Sequence, residues 1–336
     1  MESCELDVLR TARDWLAEGR RVVMATVVRT WGSSPRPPGS MMIIRDDGQV
    51  AGSVSGGCIE DDLIDRLANH ELELASPAET IYGANAEEAR RFGLPCGGSV
   101  QIVLEPLNAG SAIDELLAAI EGGGVLRRQL DMRDGLVTLG PSANDDTLHY
   151  DGCTLATVHG PRYRLLIIGA GQLSRYLAAM ALMLDYQVTV CDPRIEYHEG
   201  WQQIPGAELS AKMPDDLVTE MELDARSAVV ALTHDPKLDD LGLMEALRTE
   251  AFYVGALGSR RNNDARRQRL LEFELSAEQI ARLRGPVGLR LGALTPPEIV
   301  VSILAEMTAL RRGVSVPDGM VDWGGSTTQC RTAAHP

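Results

Sequence analysis

The 336-residue chain has no long hydrophobic run and few basic residues. No stretch reaches the roughly 18 apolar residues that a transmembrane helix needs, which argues against a membrane protein. Lys and Arg number 32 against 48 Asp and Glu, giving a formal net charge of -16. Such a chain repels nucleic acid and anionic membranes at long range, so neither is an expected partner.

Paired cysteine motifs and an N-terminal targeting pattern are also missing. The six cysteines are scattered without a C-x-x-C pair, which argues against a tetrahedral zinc site. The N-terminal MESCE has neither a basic start nor an apolar run, so no signal peptide is predicted. We therefore expect a cytoplasmic protein whose cysteines are free thiols.

The first half of the chain mixes helix and strand patterns without a regular alternation. Helices are expected at 10–18, 59–70 and 113–120, and strands at 21–29, 41–45, 50–53 and 100–105. Asp47 and Gly48 predict a tight turn between the second and third of these strands. The mixture predicts an α+β domain over residues 1–159, with a Gly-rich connecting region from about 122. Asp-Gly pairs predict hairpin-like pieces in that region, around 134–135 and 151–152.

After about residue 160, strands and helices alternate. Strands are predicted at 164–169, 187–191, 228–233, 252–255 and 287–291. Alternation of this kind is typical of the parallel, doubly wound α/β sheet of a Rossmann-type domain. We place this domain at 160–313 and a C-terminal tail at 314–336.

A glycine turn follows the first of these strands. Gly169 permits the tight turn, and Gly171, before Gln172, lets a pyrophosphate approach the start of the next helix. Asp192 ends the second strand about 20 residues on, where a carboxylate accepts hydrogen bonds from a ribose 2′-hydroxyl. This context favours nucleotide binding; the alternative is a plain strand–helix connection in a domain that binds none.

Two further segments follow predicted strands, where open α/β sheets build their sites. His234 is either an acid–base or metal-binding group or a residue that caps the next helix. Gly258 and Arg260 lie in the other segment, where arginines point to an anion. The basic pairs at 260–261 and 266–267 are both candidates for gripping a phosphate.

Two glycine-flanked cysteines lie in the first half: Cys58, after Gly56 and Gly57, and Cys96, before Gly97. The glycines are expected to expose backbone N–H groups and to leave the thiols open. Cys58 is placed near a helix N-terminus, which favours the thiolate that binds soft metals. The alternative is that the glycines are turn residues and the cysteines small buried hydrophobes.

Two shorter patterns complete the set of candidates. Ser33, Ser34 and Arg36 form a loop that either holds an anion or is an ordinary surface loop. Thr295 and Glu298 have the spacing of a capping box at the start of the last helix, for which a structural role suffices.

Together these motifs resemble the XdhC/CoxI family. In the first half the resemblance rests on residues 32–39, 52–60 and 96–98, and in the second half on 169–171, 191–194, 233–235, 253–259 and 292–299. It covers nearly the whole chain and is weakest between about 110 and 160 and after 313.

The resemblance implies a maturation factor for molybdenum hydroxylases of the xanthine dehydrogenase type, rather than an enzyme with its own turnover. Such a chaperone is thought to bind the molybdenum cofactor, which is molybdopterin or its cytosine dinucleotide form. It brings the cofactor to a cysteine desulfurase for sulfuration and then hands it to the apo-enzyme. By position, Cys58 and Cys96 become candidate molybdenum ligands. Aromatic residues make up only 4 %, so stacking of a pterin on aromatic rings has little support.

The candidate cofactor contacts combine the loop, glycine-turn and strand-end residues. They are Ser33, Ser34, Arg36, Gly56, Gly57, Cys58, Cys96, Gly97, Gly169, Gly171, Gln172, Asp192, Arg194, His234, Gly258 and Arg260. Two other functions stay open: an NAD(P)-dependent oxidoreductase, although no convincing hydride-transfer pattern is found, and a nucleotide-sensing regulatory protein. A homodimer is compatible with the sequence, which leaves the oligomeric state open.

Overall fold

The computed structural model divides the chain into two compact units, within Glu2–Arg162 and within Tyr163–Pro336. The residues it describes are 4–32, 36–72, 74–83, 92, 98–142, 148–160, 163–199, 201, 204–233, 235–317 and 320. Within these ranges, every helix is too short or too polar to span a bilayer.

The first unit is built on a five-stranded antiparallel sheet. Its strands are β1 (Val22–Trp31), β2 (Met41–Arg45), β3 (Val50–Gly52), β4 (Ala78–Tyr82) and β5 (Ser99–Leu107). They lie in the order β3-β2-β1-β5-β4. Among the residues described above, three α-helices accompany them: α1 (Cys4–Ala17), α2 (Cys58–Ala68) and α3 (Ile113–Glu121). The hairpin of β2 and β3 is as predicted, whereas α1 begins at Cys4 rather than at residue 10.

Both faces of this sheet are covered, because β1 is buried along its first seven residues. Val23 and Ala25 pack with α2 in one core. Val22 and Met24 pack with α1 and α3 in a second core. The alternation follows from the two-residue period of a strand, which sends successive side chains to opposite faces.

The Gly-rich region from about 122 forms a four-stranded antiparallel sheet, and the hairpins predicted around 134–135 and 151–152 are confirmed. Its strands are β6 (Leu126–Asp131), β7 (Val137–Pro141), β8 (His149–Tyr150) and β9 (Thr154–His159), in the order β7-β6-β9-β8. Gly135 and Gly152, with φ of 75° and 89°, lie in its turns, where glycine relieves strain. Arg128 of β6 is buried and donates to the Glu105 carboxylate of β5 (Nη1–Oε2, 2.9 Å).

The second unit is a six-stranded parallel sheet. Its strands are β10 (Tyr163–Ile168), β11 (Tyr186–Cys191), β12 (Ala207–Ser210), β13 (Ser227–Ala231), β14 (Tyr253–Ala256) and β15 (Leu283–Arg284). The spatial order β12-β11-β10-β13-β14-β15 is the 3-2-1-4-5-6 order of a dinucleotide-binding fold. The doubly wound parallel sheet predicted from the alternation is therefore confirmed.

In the second unit, one predicted strand is misplaced and one strand was missed. The predicted strand at 287–291 does not form, and the sixth strand is β15. The Gly288 N–H instead donates to the Glu306 carboxylate (2.9 Å) and the Leu289 N–H to the Ser302 carbonyl (3.2 Å). The missed strand is the short β12, whose residues are mostly half-exposed and carry a weak apolar signal.

Helices cover both faces of the second sheet. They are α4 (Gln172–Leu182), α5 (Pro214–Glu220), α6 (Pro236–Arg248), α7 (Arg260–Glu272), α8 (Ala277–Ala281) and α9 (Pro296–Arg311). Leu165 and Ile167 of β10 pack with α4 and α9, and Leu166 and Ile168 pack with α5 and α6. The capping box is confirmed, because Glu298 accepts from the Thr295 N–H (2.9 Å) at the start of α9.

Candidate functional site

A cavity of about 970 Å³ opens in the second unit beyond the carboxyl ends of β10, β11, β13 and β14. Its lining includes the predicted site residues Gly171, Gln172, Arg194, Gly258 and Arg260. Strand order reverses between β10 and β13, and such switch points are where open α/β sheets bind ligands. The volume lies within the range of small-molecule and cofactor pockets.

The two glycines of the turn after β10 differ in what they require. Gly169 has a φ of 106°, and a Cβ there would lie 2.9 Å from Thr233 Cγ2. Gly171 has a φ of -77°, and a Cβ there would meet no described atom within 4 Å. Gly171 precedes α4, whose first turn is capped by no side chain within the described ranges. The amides of α4 therefore remain suited to an anionic ligand.

A serine at each glycine separates these requirements. Gly169→Ser is expected to lower the free energy of unfolding by about 1–3 kcal/mol, since it imposes a strained backbone and a clash with Thr233. Gly171→Ser should stay within about 0.5 kcal/mol of the wild type, because serine suits an N-cap and space is available. Urea unfolding of both variants measures the difference, and similar losses would contradict this account.

Asp192, at the end of β11, has a buried carboxylate with 0 % exposure. Its Oδ1 accepts from the Arg194 backbone N–H (3.0 Å) and Nε (2.9 Å). Its Oδ2 accepts from Arg194 Nη2 and the Ala170 N–H (both 2.9 Å). Burial raises the pKa of Asp192, but these hydrogen bonds outweigh it and the pKa falls below its ordinary value. A ribose hydroxyl can donate a hydrogen bond to this carboxylate only if one of these four hydrogen bonds is broken.

Arg194 is held from two sides. One edge of its guanidinium donates hydrogen bonds to Asp192. The Tyr197 ring lies under the guanidinium in a cation–π contact, with a Cζ-to-centroid distance of 4.2 Å. Both Arg194 and Tyr197 line the cavity. No sequence pattern selects Tyr197, because it lies in a single 3₁₀ turn, Ile195–Tyr197, after β11.

A buried ion network supports the other side of the cavity. Arg266 of α7 is 5 % exposed and contacts Asp239 Oδ2 (2.9 Å) and Asp240 Oδ1 (3.0 Å) of α6. Its Nη1 donates to the Leu257 carbonyl (3.1 Å) beside the cavity. Asp239 in turn accepts from the Thr233 hydroxyl (2.8 Å) at the end of β13. Its burial raises its pKa above the ordinary value.

This network corrects one interpretation of the sequence. The pair at 266–267 was a candidate for gripping a phosphate, and the structure contradicts this. Arg266 is occupied by two buried carboxylates. Arg267 donates to the backbone carbonyls of Leu283 (3.3 Å) and Gly285 (2.9 Å). Charge spacing along α7 does not reveal this, because the partners come from another helix, from β15 and from loops.

In the first unit, the loop before α2 is wrapped around the carboxylate of Glu60, which is 8 % exposed. Six hydrogen bonds reach this carboxylate. Their donors are the hydroxyls of Ser53 and Ser55 and the backbone N–H groups of Val54, Ser55, Gly56 and Gly57. Burial raises the pKa of Glu60, but these bonds outweigh it and hold the pKa well below its usual range.

The Glu60 contacts change the predicted role of this loop. The amides of Gly56 and Gly57 donate to Glu60 at 3.0 and 2.9 Å, so the expectation that they are exposed for a ligand is wrong. Cys58, the first residue of α2, is exposed, so it is not a buried hydrophobe. A Glu three residues after a helix N-cap is a capping-box signal that could have identified Glu60.

Several predicted site residues lie outside the described residues: Ser33, Ser34, Cys96, Gly97 and His234. Arg36 is described and exposed. Among the side chains that the structure does describe, no group of three or more His, Cys, Asp or Glu could hold a metal ion. Molybdenum binding by Cys58 and Cys96 therefore stays a prediction.

The strand order, the glycine turn and the cavity define a dinucleotide-binding-type domain, which follows an α+β unit in this chain. The XdhC Rossmann domain family model matches residues 165–307. The XdhC and CoxI family model matches residues 15–72. The chain belongs to the XdhC/CoxI family.

Named relatives extend over almost the whole chain. It is 27 % identical over 313 residues to the molybdenum cofactor insertion chaperone PaoD of Escherichia coli K12, covering 90 % of this chain and 88 % of that one. It is 26 % identical over 326 residues to a protein of Bacillus subtilis 168 named as a probable xanthine dehydrogenase subunit, with 90 % and 96 % covered. A crystal structure described as a xanthine dehydrogenase from Bacillus halodurans has a TM-score of 0.73 at 25 % identity, with 95 % and 99 % covered.

Proposed function

We propose that this chain is a maturation factor that binds the molybdenum cofactor and inserts it into a molybdenum hydroxylase of the xanthine dehydrogenase type. The cavity beyond β10 carries the proposal, because its size and lining suit a phosphorylated pterin. The similarity to a relative named as a molybdenum cofactor insertion chaperone supports it.

The lining of the cavity fits such a ligand in two parts. The first turn of α4, behind Gly171, offers amides to the phosphate tail. Apolar side chains, among them Leu173, Leu232 and Val287, offer a surface to the pterin, and Tyr197 adds an aromatic ring. Soft thiolate or thioether ligands suit a metal of this kind, and the described residues that line the cavity include no Cys or Met.

We further propose that Cys58 and Cys96 are ligands of molybdenum while a cysteine desulfurase sulfurates the cofactor in the cytoplasm. The exposure of the Cys58 thiol at the start of α2 supports this role. Glu60 supports it indirectly, since the ordered loop of residues 53–57 fixes the backbone from which Cys58 projects.

The test starts from full-length protein purified from cells that make the cofactor. We expect molybdenum and pterin to co-purify, measured by elemental analysis and by fluorescence of the oxidised pterin. The same protein should raise the activity of an apo-hydroxylase supplied with limiting cofactor. Folded protein that carries neither molybdenum nor pterin and activates no hydroxylase would refute the proposal.

Cys58 is tested against a matched cysteine. Cys58→Ser is expected to lower the yield of active hydroxylase roughly tenfold, as loss of a group near a metal commonly does. Cys153, also exposed, lies in the turn between β8 and β9, and Cys153→Ser should leave the yield unchanged. Equal yields from the two variants would remove Cys58 from the proposed site.

A further inference from the structure

The position of Asp192 is where dinucleotide-binding domains keep a carboxylate for the ribose hydroxyls. A carboxylate has about four acceptor sites. Arg194 and Ala170 already supply four hydrogen bonds to Asp192, at 2.9 to 3.0 Å. Its acceptor capacity is therefore filled from within the protein, and a ribose diol finds no vacant acceptor there.

The guanidinium of Arg194 keeps donors that Asp192 does not take. An arginine has five N–H donors, and Nε and Nη2 each direct one to Asp192. The side chain is 26 % exposed and lines the cavity. Since the Tyr197 ring supports its plane at 4.2 Å, the outer edge is a fixed planar fork. Such a fork matches the oxygen atoms of a phosphate group.

Nearby carboxylates offset much of the positive charge of Arg194, so a phosphate would be bound there mainly by hydrogen bonds and less by long-range electrostatic attraction. Asp192 neutralises one unit of charge, and the carboxylate of Asp235 acts on the same guanidinium at longer range. Arg260 adds a positive charge to the lining of the cavity, and α4 adds its N-terminal amides. A phosphate at this point accepts charge-assisted hydrogen bonds from these N–H groups, and such bonds are stronger than those that a neutral diol can form.

We infer that Arg194 makes the β11 end of the cavity a phosphomonoester site that disfavours an unmodified ribose diol. This inference rests on the proposed function. In this fold, the nucleoside attached to a pyrophosphate at α4 lies toward the second strand. The mononucleotide-free cofactor ends in one phosphomonoester, for which Arg194 and the first turn of α4 both supply donors, since both line the same cavity. Its cytosine dinucleotide form has no phosphomonoester and presents a ribose diol toward β11. A 2′-phosphorylated nucleotide carries the same chemical group.

Two matched ligand pairs test the inference by calorimetry on the full chain. One pair is NADP⁺ and NAD⁺, and the other is molybdopterin and its cytosine dinucleotide. In at least one pair, the member with the phosphomonoester should bind roughly 10- to 100-fold more tightly, as for a hydrogen-bonded charged group. The pair that shows the preference identifies whether the natural source is the cofactor or a nucleotide.

Variants separate recognition by Arg194 from a merely structural role. Arg194→Gln should abolish the preference and also tighten binding of the diol ligand, because Asp192 regains acceptor sites. Arg248→Gln, an exposed arginine of α6 outside the lining, should change neither. Arg194→Lys keeps the charge without the fork, so an intermediate preference is expected even where the Gln variant folds poorly.

The outcomes distinguish this inference from the proposed function. Equal affinities within both pairs, a preference for the diol, or no binding of any of the four ligands would overturn the phosphomonoester site. A preference for NADP⁺ in a protein that activates no hydroxylase would leave the site standing and reject the maturation role. Activation of the hydroxylase without a preference in either ligand pair would support the maturation role and reject the phosphomonoester site.

Discussion

Replacing Glu60 by Gln is expected to lower the free energy of unfolding of the first unit by about 3 kcal/mol. The six hydrogen bonds at this carboxylate come from two hydroxyls and four backbone amides. A Gln side chain keeps one acceptor oxygen and turns two N–H donors toward those donors. Each buried donor left without an acceptor costs about 1–3 kcal/mol.

Hydrogen exchange of the amides at 54–57 measures this directly, alongside urea unfolding of the whole chain. These amides should exchange much faster in the Gln variant. Asp61→Asn is the matched control, since it removes an exposed carboxylate from the same first turn of α2. The idea fails if both variants protect the loop as well as the wild type does.

The same carboxylate should contribute to the acid sensitivity of the first unit. The pKa of Glu60 is lower in the folded state than its ordinary value of 4.5. Its stabilising contribution is therefore complete above that value and is lost as the pH falls from there toward the folded pKa. Subtracting the pH profile of Glu60→Gln from that of the wild type isolates this contribution, and parallel profiles would contradict it.

Arg266→Met should destabilise the second unit by about 3–5 kcal/mol, because it leaves buried carboxylates without their partner. Asp239 and Asp240 are both buried and accept from Arg266 at 2.9 and 3.0 Å. In this variant Arg269 still contacts Asp240 (Nε–Oδ2, 2.5 Å). Asp239 is therefore the carboxylate that loses its ion-pair partner. The loop at Leu257 should also loosen, since Arg266 donates to its carbonyl.

Thermal and urea unfolding give the size of this effect, and Arg261→Met on the exposed side of the same helix should change little. Adding Asp239→Asn to Arg266→Met should recover part of the loss, because the stranded charge is then removed. A double variant that is less stable than Arg266→Met would show that packing, and not the unpaired carboxylate, dominates.

The features that were predicted correctly depend on neighbours in the chain. The apolar run of β10 is buried on both faces, as a continuous run in a parallel sheet predicts. The turn after it needs glycine at 169 because the backbone there has a positive φ. The capping box of Thr295 and Glu298 closes over three residues. Patterns between residues that are close together in the chain can be recognised in a single sequence.

The features that were misjudged depend on distant partners. The hairpin turns in the region from 122 follow from local Asp-Gly pairs, but the pairing of β6 with β9, which joins the two hairpins into one sheet, was not predicted. The strand β15 was misplaced because its pairing with β14 is short and carries no periodicity. Pairings of this kind join segments that are distant in the chain, so local composition does not reveal them.

The charged residues of the candidate site also combine features that depend on neighbours in the chain with features that depend on distant partners. The sequence alone is sufficient to select Gly171 and Asp192, because their offsets from a buried strand follow from the geometry of a βαβ unit, and Arg194 is selected by the resemblance of residues 191–194 to the family. It is not sufficient to say that Asp192 is occupied by Arg194 and Ala170. The availability of a carboxylate is set by the donors around it in space, and Ala170 reaches Asp192 through the pairing of β10 with β11. Folding therefore decides which polar groups bind one another and which are left for a ligand.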